Sequence, residues 1–231
     1  HKLKPHRFRL GCYTLAARIL GHTFVIKLLE RGEDAGIKVY EKEIDQIPEL
    51  KQILEEEEIH EQKLLDMMDE ERLHYVGDMV LGMNDALVEL TGALAGYTLA
   101  MQNTHVIAMA GMITGISATL SMAASGYLSS REAEQKDAVK SATYTGIAYL
   151  MTVALLILPY LLLPAKAYLW ALGITLLIAI TIIAGFNFYL SVAKGRPFKH
   201  NFLVMSSISI GVAVISFGVG LIVKNTLGID L

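Results

Sequence analysis

Two acidic residues four positions apart, Asp85 and Glu89, lie in the middle of a long apolar stretch of this 231-residue chain. At this spacing both carboxylates occupy one face of a helix. An ionisable group at the centre of a membrane-spanning helix costs about 2.5 to 3.5 kcal/mol on insertion scales, and such groups usually mark a pathway for ions or protons. Asn84, the neighbour of Asp85, is either a further ligand or a partner in a helix–helix hydrogen bond.

The next apolar stretch offers a matching surface with residues at helical spacing. Its Met122 thioether, placed beside carboxylates, suits a borderline transition metal better than Mg²⁺ or Ca²⁺, which prefer oxygen ligands throughout. Small residues continue both faces and favour close helix packing. They are Gly92 and Gly96 in the first stretch, and Gly111, Gly115, Ala118 and Ser125 in the second.

The elements that must position these residues are membrane-spanning helices. Hydrophobic residues make up 53% of the chain. A bilayer core about 30 Å thick needs roughly 20 consecutive apolar residues in a helix. Five segments satisfy this, and each connection between them contains polar residues, proline or glycine. The sequence therefore predicts an all-α protein with spans at residues 76–100, 105–128, 142–163, 168–193 and 202–223.

Charge divides the chain into two parts. Residues 1–77 contain 12 of the 20 Lys and Arg and 16 of the 23 Asp and Glu. We therefore predict a polar helical module at 1–72 and a transmembrane domain at 73–231. Basic residues concentrate in the loops after the second and fourth spans, which places these loops and the N-terminal module in the cytoplasm and the C-terminus on the opposite side. The net charge of −3 gives no footprint for nucleic acid.

Two short segments resemble the signature of the vacuolar iron transporter family. They are Gly82-Met83-Asn84-Asp85-Ala86-Leu87 and Ser121-Met122-Ala123-Ala124-Ser125-Gly126-Tyr127-Leu128, within a resemblance that covers about residues 76–226. It implies a dimeric five-helix transporter that exports Fe²⁺, and often Mn²⁺, from the cytoplasm in exchange for protons. It also implies that Asp85 and Met122 are metal ligands. Glu89 lies outside the motif, so its role depends on the membrane argument alone.

The N-terminal module contains a second set of candidate ligands. Glu57 and His60 form a Glu-x-x-His pair, the spacing at which ferritin-like bundles present an oxygen and a nitrogen to iron. Glu33, in a segment that resembles the partner helix of rubrerythrins, is the expected neighbouring ligand, with Glu30 as a substitute. Residues 1–70 provide only one convincing helix pair, so the ferritin-like module is expected to be incomplete. Either a first pair lies upstream of His1 or two chains combine their pairs in a dimer. The resemblance to membrane-bound ferritins favours the upstream pair.

Three functions are compatible with these residues. The favoured one is a metal transporter without enzymatic activity or organic cofactor, whose partners are metal ions, protons and the lipid bilayer. The alternatives are a membrane-tethered di-iron ferroxidase, or a sensing or storage protein, that uses Glu33, Glu57 and His60, and a structural membrane protein that moves no metal. A homodimer is expected, because the small-residue stripes favour helix packing and five helices leave little room for an enclosed pathway.

Overall fold

Five long helices dominate the part of the chain that the structure describes. The structure is a computed structural model, and it describes Gly11 and residues 13–15, 17–18, 21, 24–28, 75–134 and 137–227. Every regular element in these ranges is a helix. The long helices are α1 (Val76–Met101), α2 (Thr104–Glu132), α3 (Ala138–Leu162), α4 (Tyr168–Lys194) and α5 (Phe198–Leu227). The helices α2, α3 and α5 begin or end a few residues beyond the predicted spans, because helical backbone continues into the polar flanks.

Four of these helices, α2 to α5, are long and apolar enough to cross a membrane. This confirms that the chain has the composition of an integral membrane protein. The remaining helix, α1, has 26 residues, which at 1.5 Å per residue is enough length for a bilayer core. Asn84, Asp85 and Glu89 reduce its hydropathy. The five-span count therefore stays a prediction that depends on α1, the helix with the candidate site.

Helix α1 lies at the centre of its part of the molecule, where it packs against α2, α3 and α5. One face of α1 is apolar and almost fully buried, with Leu87, Leu90 and Leu94 all at 1% exposure or less. These leucines join a core with Ile107 of α2 and Leu156 of α3. Burial of such side chains stabilises a fold through packing whether the surroundings are water or lipid. The opposite face of α1, with its carboxylates, is thereby held in a fixed orientation.

The small residues of α1 allow helix α5 of the same chain to pack closely against it. A Cβ added at Gly92 would lie 2.7 Å from Val212 Cγ1, and the backbones of Gly96 and Gly220 approach closely. The Ser209 hydroxyl also donates a hydrogen bond of 3.0 Å to the carbonyl oxygen of Leu87. The expected close helix contact at this stripe therefore forms within one chain, so the stripe itself no longer argues for a dimer.

Two glycines among the small residues of α2 also pack inside the chain, and Gly115 does so against α3. A Cβ at Gly115 would clash with Val153 of α3, and one at Gly111 would lie 2.8 Å from Leu94 Cδ2 and 3.6 Å from Ile157 Cγ1. Gly115 thus packs α2 against α3, Gly111 contacts both α1 and α3, and neither glycine is part of the surface that faces the carboxylates. The reason is that the two glycines and the polar residues of α2 lie on different sides of the helix.

A pair of nearby glycines in α5 provides a test of this packing. We expect Gly220→Ala to lower stability by about 1 to 3 kcal/mol, the usual cost of overpacking, because its Cβ would meet the backbone of Gly96. Gly218→Ala is the matched control, since an added Cβ there has nothing within 4 Å. It should gain up to about 1 kcal/mol from helix propensity. Thermal unfolding in detergent measures both, and equal shifts in Tm would contradict the close α1–α5 contact.

The chain divides into two compact units, residues 1–74 with 189–196, and residues 75–188 with 197–231. In the first unit, Phe24 and Val25 are buried and pack with Val192 and Ala193. The Phe24 ring stacks on Tyr189 with 5.3 Å between ring centroids. Gly21 has a φ of 96°, a conformation that favours glycine, and it interrupts the helical residues on either side. The second unit contains the candidate site.

Candidate metal pathway

A polar cavity of about 340 Å³ lies between α1 and α2. At about 30 Å³ for each water in the liquid, it has room for roughly ten waters, so a hydrated cation fits inside. The structure brings Asp85, Glu89 and Met122 together around this space. That these residues bind a metal stays a prediction. The full lining consists of Asp85, Glu89, Thr114, Ser117, Ala118, Ser121, Met122 and Ser125.

The two carboxylates reach the cavity from successive turns of α1. Both Asp85 and Glu89 are exposed on the single chain, whereas their neighbours Ala86 and Leu90 are buried. The described ranges contain a salt bridge between Lys140 and Asp137, with 3.5 Å between Nζ and Oδ2. Neither Asp85 nor Glu89 has a basic partner within those ranges. If α1 spans the membrane as predicted, two negative charges without a basic partner require a cation or protons as compensation.

A buried tyrosine contacts one of these carboxylates. The Tyr149 hydroxyl of α3 donates a hydrogen bond of 3.0 Å to Glu89 Oε2, and the Tyr149 side chain is 0% exposed. Sequence reasoning missed this residue, because it lies 60 positions away in an apolar stretch where a tyrosine is unremarkable. Its contact connects the third helix to the cavity.

Hydroxyl groups provide most of the remaining polar lining. Ser117, Ser121 and Ser125 follow one another at intervals of one helical turn along α2, and all three are exposed. Thr114 extends the row, and its hydroxyl lies 3.1 Å from that of Tyr97 on α1. Hydroxyls can hydrogen-bond the waters of a hydrated ion or replace some of them. Ser125 was expected on this surface from the sequence, whereas Thr114 and Ser117 were not, although the i, i+4 repeat of serine was visible.

The glycine of the first signature segment has a packing role. A Cβ at Gly82 would lie 2.8 Å from the Thr145 carbonyl oxygen, so only glycine lets α3 approach α1 this closely without a shift. Asn84 of the same segment is half-buried and does not line the cavity. Its role as a ligand or hydrogen-bonding residue stays a prediction.

A chain of hydrogen bonds joins α1, α2 and α3 at the end of the bundle where α1 and α3 begin and α2 ends. Ser130 of α2 donates to Ser141 of α3 at 2.7 Å, and Ser141 donates to Asp78 Oδ2 of α1 at 2.7 Å. Asp78 is thus an acceptor in a structural link, away from the cavity lining. This link fixes the helices that bring Asp85 and Met122 together.

The described residues contain no group of three or more His, Cys, Asp or Glu arranged to hold a metal. Two carboxylates and one thioether would therefore need water, serine hydroxyls or groups from elsewhere to complete a coordination shell. The other predicted ligands, Glu30, Glu33, Glu57 and His60, lie outside the described residues. The ferritin-like module and the ferroxidase alternative accordingly stay predictions.

Comparison with known proteins gives one result for the part of the chain that forms the cavity. No curated protein sequence matches the chain. Residues 76–137 match the family model described as VIT family, and this range contains α1 and α2 with every residue that lines the cavity. The match supports the resemblance to the vacuolar iron transporter family over these residues and, in general terms, transport of metal ions across a membrane.

Proposed function

We propose that this protein exports a divalent transition metal, Fe²⁺ or alternatively Mn²⁺, from the cytoplasm in exchange for protons. The observation that supports this most directly is the convergence of Asp85, Glu89 and Met122 on one polar cavity between α1 and α2. In this proposal all five long helices span the bilayer, the N-terminal module is cytoplasmic and the C-terminus lies on the opposite side. The metal ion is the transported substrate.

The donor set favours a transition metal over the common alkaline-earth ions. Ca²⁺ prefers six to eight oxygen ligands, and Mg²⁺ demands a regular octahedron and dehydrates reluctantly. A thioether sulfur from Met122 is a poor ligand for either ion, whereas first-row transition metals accept mixed oxygen and sulfur ligands. The serine hydroxyls of α2 would support the waters that such an ion retains.

Charge balance supports the exchange of protons for metal. Asp85 and Glu89 together offset the two positive charges of the ion, so the loaded cavity is close to neutral within the apolar span. When the metal leaves, the two negative charges again lack compensation, which is costly in hydrocarbon. Protons delivered from the opposite side restore neutrality and return the site to a state that can release them to the cytoplasm.

A second copy of the chain would complete this pathway. Asp85 and Glu89 are exposed in the single chain, and lipid at that surface would leave two carboxylates in hydrocarbon. A homodimer that covers the open side of the cavity solves this problem. The dimer proposal now depends on that exposed polar surface, since the small-residue stripes of α1 and α2 are occupied within the chain.

Metal uptake by proteoliposomes with an acidic lumen tests the proposal. Chains whose cytoplasmic face points outward should accumulate Fe²⁺ or Mn²⁺ inside, driven by protons that leave the lumen. Protein-free liposomes with the same gradient provide the background. Uptake equal to that background, with correctly folded protein in the membrane, would contradict transport.

The thioether provides a test of how the metal is selected. Met122→Leu keeps the apolar volume but removes sulfur, so the KM for Fe²⁺ should rise by at least about tenfold, the lower end of what loss of a supporting group costs a metal site. Met112→Leu is the matched control, because Met112 lies on the same helix, is 39% exposed and does not line the cavity. Initial rates of uptake over a range of Fe²⁺ concentrations give the KM of each variant. An unchanged KM in Met122→Leu would remove sulfur from the proposed ligand set.

A further inference from the structure

We propose that Tyr149 determines the metal selectivity of the cavity, because its hydroxyl donates to one carboxylate oxygen of Glu89 and so favours monodentate over bidentate coordination by Glu89. This inference rests on the proposed function, since it assigns a specificity-determining residue to the same site. Tyr149 acts through Glu89 and is a positioning residue. It comes from α3, a helix that contributes nothing to the cavity lining itself.

The contact that supports this has a buried donor and an exposed acceptor. The Tyr149 hydroxyl lies 3.0 Å from Glu89 Oε2, and Tyr149 is 0% exposed. Glu89 is exposed and lines the cavity. Hydrogen bonds to an ionised carboxylate are about twice as strong as those between neutral groups. The bond therefore restrains Oε2 of Glu89, whereas Oε1 accepts no hydrogen bond from Tyr149.

The donor is fixed by the packing of its helix. One turn before Tyr149, the Thr145 carbonyl lies against Gly82 of α1, where a Cβ would be only 2.8 Å away. Next to Thr145, Gly146 packs against Ala123 of α2, with 3.2 Å from an ideal Cβ to the Ala123 methyl carbon. The α3 backbone is thus pressed against both cavity-forming helices. Rotation of the phenol away from Glu89 would disturb a close-packed core.

A carboxylate with one oxygen held discriminates between cations by coordination number. Ca²⁺ fills a shell of six to eight oxygens, often with bidentate carboxylates, in flexible geometry. Fe²⁺ and Mn²⁺ are satisfied with fewer ligands and tolerate the thioether of Met122. When Glu89 favours coordination through one oxygen, the affinity for Ca²⁺ falls more than the affinity for the transition metals, which need fewer oxygen ligands. A fixed Glu89 also resists the adjustment by which a flexible site would adapt to the larger ion.

Tyr160 provides the control for a purely structural role. It lies on the same helix and is also 0% exposed, and its hydroxyl lies 2.7 Å from the Thr98 hydroxyl. Neither residue of that pair lines the cavity. Tyr160→Phe therefore removes a buried hydroxyl and its hydrogen bond without touching Glu89. Any effect that both phenylalanine variants share reports on the core, and an effect confined to Tyr149→Phe reports on the site.

Equilibrium binding of Mn²⁺ to the purified full chain, followed by electron paramagnetic resonance with Ca²⁺ as competitor, tests the proposal. The intramembrane fraction is the bound Mn²⁺ that Asp85→Asn removes. For this fraction we expect Tyr149→Phe to lower the ratio of the Ca²⁺ to the Mn²⁺ dissociation constant by about tenfold, the low end for loss of an outer-shell partner. In Tyr160→Phe the ratio should stay at the wild-type value.

The outcomes separate this inference from the transport proposal. A wild-type ratio in Tyr149→Phe overturns the selectivity role even where the protein transports metal. An equal fall of the ratio in both variants also overturns it, because the cause would then be the core. A fall confined to Tyr149→Phe supports it, and this result stands by itself even where uptake by proteoliposomes fails. Thermal unfolding of both variants confirms that the compared proteins are folded.

Discussion

Asp85→Asn is expected to reduce metal uptake by proteoliposomes about a hundredfold. The substitution keeps the shape of the side chain and removes its charge, so in the proposed transporter a divalent ion in the cavity would keep one uncompensated positive charge within the membrane. An uncompensated charge there costs about 2.5 to 3.5 kcal/mol on insertion scales, and each 1.4 kcal/mol corresponds to a factor of ten. Because Asp85 is exposed to the cavity and not packed in the core, the fold should survive the change.

A second aspartate on the same helix provides the control for this prediction. Asp78 is half-buried, accepts a hydrogen bond of 2.7 Å from Ser141 and does not line the cavity. Asp78→Asn still accepts that bond through its amide oxygen, so uptake should stay within about threefold of wild type, as for a surface change of about 0.5 kcal/mol. Wild-type uptake in Asp85→Asn would refute the proposed pathway. Equal losses in both variants would indicate that α1 tolerates neither change.

Much of the helical architecture was predictable from composition. Long apolar runs interrupted by Gln102-Asn103 or by Pro164 leave few alternatives to spanning helices, and each predicted span lies almost entirely within a helix of the structure. The exact ends were not predictable. Residues 129–132 are polar and residues 138–141 include Lys140 and Ser141, yet they continue α2 and begin α3, because helical hydrogen bonding does not require an apolar side chain. Hydropathy therefore predicts which residues lie within the membrane, whereas backbone hydrogen bonding determines where each helix ends.

Part of the site was also predictable, because spacing along one helix is local information. Asp85 and Glu89 share a face of α1 for that reason. The partners across the cavity depend on how each helix is rotated about its axis, which is set by side-chain packing. The glycines of α2 show the difficulty, since Gly115 and Met122 were expected on one surface, whereas Gly115 packs against Val153 of α3. The role of Tyr149 could not be predicted from the sequence, because its contact with Glu89 exists only after α3 packs against α1.

Metal entry should drive about two protons out of the same vesicles for each ion, because two carboxylates must be neutral when no cation lies between them. A pH-sensitive dye in the lumen and radioactive Mn²⁺ give the ratio directly. With an acidic lumen, protons move down their gradient as the metal accumulates. Dissipating the pH gradient with an ionophore should therefore abolish accumulation above the external concentration.

Glu89→Gln separates the contributions of the two carboxylates to this exchange. The amide that replaces the carboxylate offers an oxygen to the metal and still accepts the hydrogen bond from Tyr149, but it binds no proton in exchange. Uptake should slow for the same reason as in Asp85→Asn, and in the uptake that remains the ratio should fall to about one proton for each ion, since one carboxylate remains to be neutralised. A ratio that stays near two would locate the second proton site elsewhere in the chain. Metal uptake without any proton movement would indicate a channel or uniporter. In an exchanger, the emptied carboxylates must be protonated before the site faces the cytoplasm again.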